Sequence, residues 1–203
     1  MNRNFILLHF LLLSNFLFSQ SKGVTLKVGR DYCQTRMVTE QLFNTSIIGS
    51  FTSRNGFRIG ISYEQPIYKR FAIMADLGYS QGGFDNYKHL GKTNTVNQAY
   101  FSIAPEFYIG KFFKIYAGGL LDLNFKNQNN LSRYIEPFNW GSDIGAALIF
   151  NRLELGFHYT HYLNYYFDYK KLYPFAVDEK EYWDIKGIYI AYRFAGKNPL
   201  TLK

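Results

Sequence analysis

Long stretches of period-two alternation constrain this chain more than any other feature. Asn97 to Lys126 holds two of them, joined by a tight turn. In the first, Phe101, Ile103, Pro105, Phe107 and Ile109 alternate with Tyr100, Ser102, Ala104, Glu106 and Tyr108. In the second, Ile115, Ala117, Gly119, Leu121, Leu123 and Phe125 alternate with Lys114, Tyr116, Gly118, Leu120, Asp122 and Asn124. Successive side chains of a strand point to opposite faces, so each run has an apolar face and a face that carries charge. Ordinary strands run about 5–6 residues, whereas a tilted membrane-crossing strand needs roughly 9–11. The hairpin therefore predicts a sheet that crosses a bilayer.

The rest of the chain repeats the pattern. Further strands are expected over Gly23–Tyr32, Gly56–Gln65, Phe71–Gln81, Trp140–Phe150, Leu153–Asn164 and Asp184–Phe194. Connections alternate between long polar segments (Cys33–Asn55, Gly82–Val96, Lys126–Asn139, Tyr165–Trp183) and short ones (Pro66–Arg70, Gly110–Phe113, Asn151–Arg152). Short turns at one end and long loops at the other are the pattern of outer-membrane barrels. The predicted fold is all-β: an eight-stranded antiparallel up-and-down transmembrane barrel over residues 20–194, followed by a polar tail, 195–203. A soluble eight-stranded barrel would show the same alternation with its apolar face inward. Small residues separate the two readings. Gly60, Gly78, Ala104, Gly118, Gly145, Ala147, Gly156, Gly187 and Ala191 all share the charged face, which suits a crowded narrow interior better than a soluble exterior. Pro105 lacks a ladder donor, so a bulge or kink is expected there.

Composition agrees. Aromatic residues make up 20% of the chain, with 18 Tyr and 20 Phe, as expected where rings form belts at both membrane interfaces. Mean hydropathy is only −0.20, and no apolar run outside the N-terminus reaches the ~18 residues of a spanning helix. Met1–Ser19 reads as a signal peptide, with Arg3 ahead of the apolar run Phe5–Phe18 and small residues at Ser19 and Ser21. The single cysteine, Cys33, excludes a disulfide scaffold or a cysteine metal site.

If the charged face is inward, the lumen holds Lys27, Arg58, Lys114 and Arg193 with Glu64, Asp76, Glu106, Asp122, Asp143 and Glu154. Buried charges persist only when paired, so these ten are read as one lumenal charge network plugging the barrel. A narrow polar pore is the alternative. The excess positive charge then lies in loops, turns and tail, where it can meet lipopolysaccharide phosphates. His158 and His161 lie three apart on one strand and face opposite ways, so they form no metal pair. His161–Asn164 approaches the H-x-S-N motif of lipid A deacylases, but Leu163 stands at the serine position and is no nucleophile. Tyr165, Tyr166, Phe167, Tyr169, Tyr173, Phe175, Tyr182 and Trp183 crowd the last long segment. They are read as an interfacial belt or a candidate aromatic loop surface.

The motifs also support a family. Tyr100-Phe101-Ser102-Ile103-Ala104-Pro105, then Ile115-Tyr116-Ala117-Gly118-Gly119, with Gly56-Phe57-Arg58-Ile59-Gly60, Tyr159 to Leu163-Asn164 and Tyr192-Arg193-Phe194, resemble the PorT-like outer-membrane β-barrels of Bacteroidota. The resemblance covers about Gly23 to Phe194 and implies an outer-membrane location. Some members of that family are associated with protein secretion and gliding. The expected role is a structural or interaction component (scaffold, adhesion or secretion-associated) acting through its loops. A narrow passive pore for small solutes ranks second and a lipid A-modifying enzyme third. No enzyme activity, cofactor, metal or nucleic-acid partner is expected. The expected partners are outer-membrane lipid, lipopolysaccharide and envelope or secretion-machinery proteins, with the barrel itself a monomer.

Overall fold

Alternation dictates a wall one strand thick, and the computed structural model closes that wall on itself. The structure describes residues 23–41, 44–85, 93–125, 136–165, 167–168 and 179–195. Its elements are β1 (Gly23–Gln41), β2 (Asn44–Tyr68), β3 (Phe71–Asp85), β4 (Thr93–Ile109), β5 (Phe113–Phe125), β6 (Phe138–Phe150), β7 (Leu153–Tyr162), β8 (Phe167–Asp168) and β9 (Glu179–Ala195). Each long strand pairs antiparallel with the next, β7 pairs with β9, and β9 pairs back to β1. The two-residue β8 adds one short pairing to β9, Phe167 to Glu181 and Asp168 to Lys180. Eight long strands thus form a closed up-and-down barrel. Closure is what a bilayer demands, because an unpaired sheet edge in hydrocarbon leaves backbone donors and acceptors with no partner.

The two faces separate as the alternation requires. Leu26, Val28, Ile59, Ile61, Leu77, Phe101, Ile103, Leu155, Ile188 and Ile190 are exposed on the outer wall, while Lys27, Ser62, Asp76, Ser102, Glu154 and Arg193 are buried inside. A soluble barrel places its apolar face inward; this one does the reverse. Exposed Tyr68, Phe71, Phe112, Phe150 and Phe194 gather at the short-turn end, the position of one aromatic girdle. The turns themselves are tight. Gly110 takes φ 65° and Asn151 φ 57°, left-handed conformations that glycine and asparagine tolerate.

Several boundaries differ from the sequence reading. Most of Cys33–Asn55 is not loop: β1 continues to Gln41, and β2 starts at Asn44, opposite it. The ladder shifts register between Cys33 and Thr35 and again between Arg36 and Val38. Each bulge resets the side-chain phase, and strand ends beyond the bilayer meet water on both faces, so no alternation marks them. A crossing takes about 9–11 residues, and the 25 residues of β2 extend well past that. For the same reason β3 reaches Asp85, β4 begins at Thr93 and β9 begins at Glu179, inside segments expected to be loops. Ala195, expected in the tail, ends β9. Residues 1–19 and 196–203 lie outside the described residues. Pro105 makes no bulge. The β4–β5 ladder skips Ala104 and Pro105 and resumes in the same register, while Pro105 stays paired to Ile73 on β3. A register shift instead follows Pro66, between it and Tyr68.

Interior space is shared between tyrosines and glycines on adjoining strands. Tyr116 faces Gly145, Tyr189 faces Gly156, and Tyr100 faces Gly78, which in turn faces Gly60. A Cβ on Gly145 would collide with the Tyr116 ring and come within 2.6 Å of the Phe157 carbonyl oxygen. One on the outward Gly119 would meet nothing within 4 Å. We expect Gly145→Ala to lose about 1–3 kcal/mol through overpacking and Gly119→Ala to leave stability unchanged. Urea unfolding in vesicles, read by the mobility of unboiled samples on gels, checks both.

Candidate functional site: the lumenal charge network

Inward parity carries all ten sequence-predicted lumenal charges into the barrel. Lys27, Arg58, Glu64, Asp76, Glu106, Lys114, Asp122, Asp143, Glu154 and Arg193 are each buried. They form storeys rather than one continuous network.

Nearest the short turns, Lys114 enters just after the β4–β5 turn and meets three carboxylates from three strands. Its Nζ lies 2.5 Å from Glu64 Oε1, 2.9 Å from Glu154 Oε2 and 3.0 Å from Glu106 Oε1. Arg193 Nη2 bridges Glu64 at 2.5 Å and Glu154 at 3.0 Å. The Tyr108 hydroxyl donates to Glu64 Oε2 at 2.9 Å. Lys114 donates to Glu64 with hydrogen-bond geometry, whereas Glu106 has only the ion-pair contact, and neither of its carboxylate oxygens takes a hydrogen bond. Glu106 and Tyr108 are 0% exposed and Lys114 1%, so this storey is withdrawn from solvent on both sides.

At mid-height Lys27 Nζ donates to Asp76 Oδ2 at 2.9 Å and lies 5.2 Å from the Tyr189 ring centre and 5.9 Å from that of Tyr116, within or near cation–π range. Towards the loops, Arg58 Nε donates to Asp31 Oδ2 at 3.0 Å, and its guanidinium lies 4.6 Å from the Tyr100 ring centre. Asp31 Oδ1 also meets His158 Nε2 at 2.9 Å. The other ring nitrogen of His158 lies 3.6 Å from Asp143, which accepts the Thr160 hydroxyl at 2.8 Å. Asp122 accepts the Tyr162 hydroxyl. Above these, Ser80 donates to Gln98 at 3.1 Å, and Gln98 donates to Asn124 at 2.8 Å.

Sequence reasoning missed Asp31 and the inward role of His158. Both follow from parity: Asp31 shares the face of Lys27, and His158 that of Glu154. Asp31 makes the described lumen more acidic than expected. His161 faces outward and is half-buried, its Nδ1 2.7 Å from Asp184 Oδ1. Leu163, at the position of the deacylase serine, is exposed. Ser142 lies directly across the ladder from His161, but no hydrogen bond joins its hydroxyl to the ring.

Of the aromatic segment, the structure describes the side chains of Tyr165, Tyr182 and Trp183. Trp183 is 0% exposed, because β9 starts early enough to place it on the strand, on the same inward face as Ile185 and Tyr189. Tyr165 and Tyr182 are half-buried. The backbone of Phe167 is described but its side chain is not, and Tyr166, Tyr169, Tyr173 and Phe175 lie outside the described residues. Cys33 is buried in the lumen. No group of metal-ligating side chains occurs among the described residues.

A family comparison agrees with this architecture. The family model "Outer membrane protein beta-barrel domain" matches residues 18–168. The chain is also similar to solved structures, among them these three. OprG from Pseudomonas aeruginosa is 11% identical, with 87% of this chain and 98% of that chain covered and a TM-score of 0.45. Neisserial surface protein A is 16% identical, covering 83% and 97%, TM-score 0.45. Ail, the attachment invasion locus protein of Yersinia pestis, is 16% identical, covering 85% and 99%, TM-score 0.40. No curated protein matches the sequence.

Removing Lys114 leaves three buried carboxylates facing Arg193 alone. We expect Lys114→Met to cost about 3–5 kcal/mol of unfolding free energy. Glu106→Gln removes the acceptor without hydrogen bonds and leaves two carboxylates against two cations, so it should stay within about 1 kcal/mol of the parent. Urea titration of the vesicle-inserted protein distinguishes the two variants.

Proposed function

Since the chain belongs to the outer membrane protein beta-barrel domain family, and its wall is that of a barrel in the bacterial outer membrane, we propose that it works as a sealed structural or interaction component and not as a pore. The observation that carries this reading is the storey around Lys114: five charged side chains from five strands, each at most 3% exposed, paired with one another inside the lumen. An eight-stranded barrel is just wide enough for its own side chains, and here those side chains are bound to one another. Function then falls to what projects beyond the bilayer, chiefly the long β1–β2 hairpin and the other strand extensions on the loop side.

On this reading the protein is a monomer delivered by a cleaved signal peptide. Its finer kinship is with the PorT-like barrels whose motifs it carries, and its partners are envelope or secretion-machinery proteins. On the same reading it has no enzymatic role, which is supported by the leucine that stands where a deacylase has its serine, beside the outward His161–Asp184 pair. Planar bilayers test the sealed lumen. We expect no reproducible ion steps from the purified barrel, nor from its Glu106→Gln and Asp122→Asn variants. Steps that change on neutralising either residue would overturn the reading in favour of a narrow polar pore.

A further inference from the structure

The apolar outer wall is interrupted at the seam where β9 meets β1. On β1 the outward row runs Val24, Leu26, Val28, Arg30, Tyr32; on β9 it runs Phe194, Tyr192, Ile190, Ile188, Lys186. Both rows are apolar or aromatic from the short-turn end until they reach a cation. Among the described strand side chains, Arg30 and Lys186 are the cations that face outward. Ile188 lies opposite Arg30 and Tyr32 opposite Lys186, so the two cations are diagonal neighbours on one face, close enough for long side chains to converge.

They border a groove of about 310 Å³ whose lining includes Tyr32, Asn55, Phe157 and Ile188. Phe157 and Ile188 face each other across the β7–β9 ladder and make its apolar part. Among the described residues, the acidic groups nearby are already engaged. Asp31 backs the groove, but its carboxylate turns into the lumen and is held by Arg58 and His158. Asp184, on the same outward face two residues from Lys186, holds the His161 ring. Neither Arg30 nor Lys186 makes an ion pair among the described residues.

A cation facing lipid without an anion is unfavourable, increasingly so with depth. These two lie at the loop end of the apolar band, and the loop end of such a barrel faces the outer leaflet. The lipid of that leaflet presents phosphates at the sugar–acyl boundary. Long basic side chains lying along apolar wall with their charge raised to the headgroup level suit that geometry, and paired basic groups bind phosphate strongly. We propose that Arg30 and Lys186 form a binding site for a phosphate of lipid A, the phosphorylated glycolipid anchor of lipopolysaccharide, with its acyl chains along Phe157 and Ile188. Asn55 and Tyr32 line the same groove and supply an amide and a hydroxyl to bond its sugar. The site goes beyond the proposed interaction role and does not depend on the lumen being sealed.

The test uses the barrel refolded free of cellular lipid and inserted into phosphatidylcholine nanodiscs doped with bisphosphorylated lipid A, with retained lipid counted by native mass spectrometry. We expect the double variant R30Q/K186Q to retain about tenfold less lipid A than the parent, the loss of charge-assisted bonds to one phosphate. Lys69→Gln, at the short-turn end, should behave as the parent. Dephosphorylated lipid A should be retained no better by the parent than by the double variant. Mobility of unboiled samples on gels establishes that each variant is folded, and Lys186→Gln alone is read if the double variant is not. Equal retention of lipid A by parent and variant would overturn the site. Undiminished retention of the dephosphorylated lipid would do the same. Retention of phosphatidylglycerol as strong as that of lipid A would show a general anionic surface instead.

Discussion

Closing eight strands into a ring leaves a lumen that the chain's own side chains must fill, and everything inside this barrel follows from that constraint. The outer wall meets hydrocarbon and takes the apolar residues, so each strand's remaining positions turn inward. Those positions have no bulk water to solvate them. Charge placed there must find charge or a hydrogen bond across the lumen. The Lys114 storey answers this demand with one ammonium against three carboxylates and a guanidinium bridging two of them. The same demand explains why Asp122, which makes no ion pair among the described residues, accepts a tyrosine hydroxyl.

Volume is regulated as tightly as charge. Tyr100, Tyr116 and Tyr189 occupy the space that glycines on adjoining strands leave open, and their rings also lie near Arg58 and Lys27. Filling space and stabilising charge are therefore tasks of the same residues. Isolated buried ion pairs are weak sources of stability. Here the more direct consequence is mechanical: a lumen interlocked from several strands holds those strands in one register.

The fold was legible because alternation is a local property. Within the bilayer each outward position must be apolar, so parity and phase could be read from Phe101 or Ile188 alone. Beyond the bilayer that requirement lapses, and the bulges after Cys33 and Arg36 break the phase as well. This is why the long β1–β2 hairpin read as loop and why Trp183, on an early extension of β9, read as surface. Parity also identified which residues face inward, and applied without omission it would have found Asp31. It could not tell which charges meet. Lys114 and Glu64 are 50 residues apart, and Arg193 and Glu64 are 129 apart. Their meeting depends on barrel closure and stagger, which no local pattern encodes.

The central claim is that one buried ammonium is shared by carboxylates from three strands and closes the lumen. Solid-state NMR of the barrel in lipid bilayers, with labelled lysine and glutamate, tests it most directly. The account predicts dipolar contacts from Lys114 Nζ to the side-chain carboxyl carbons of Glu64, Glu106 and Glu154, with ammonium protons that exchange slowly with water. A Lys114 ammonium in rapid exchange, showing contact to none of the three, would contradict it.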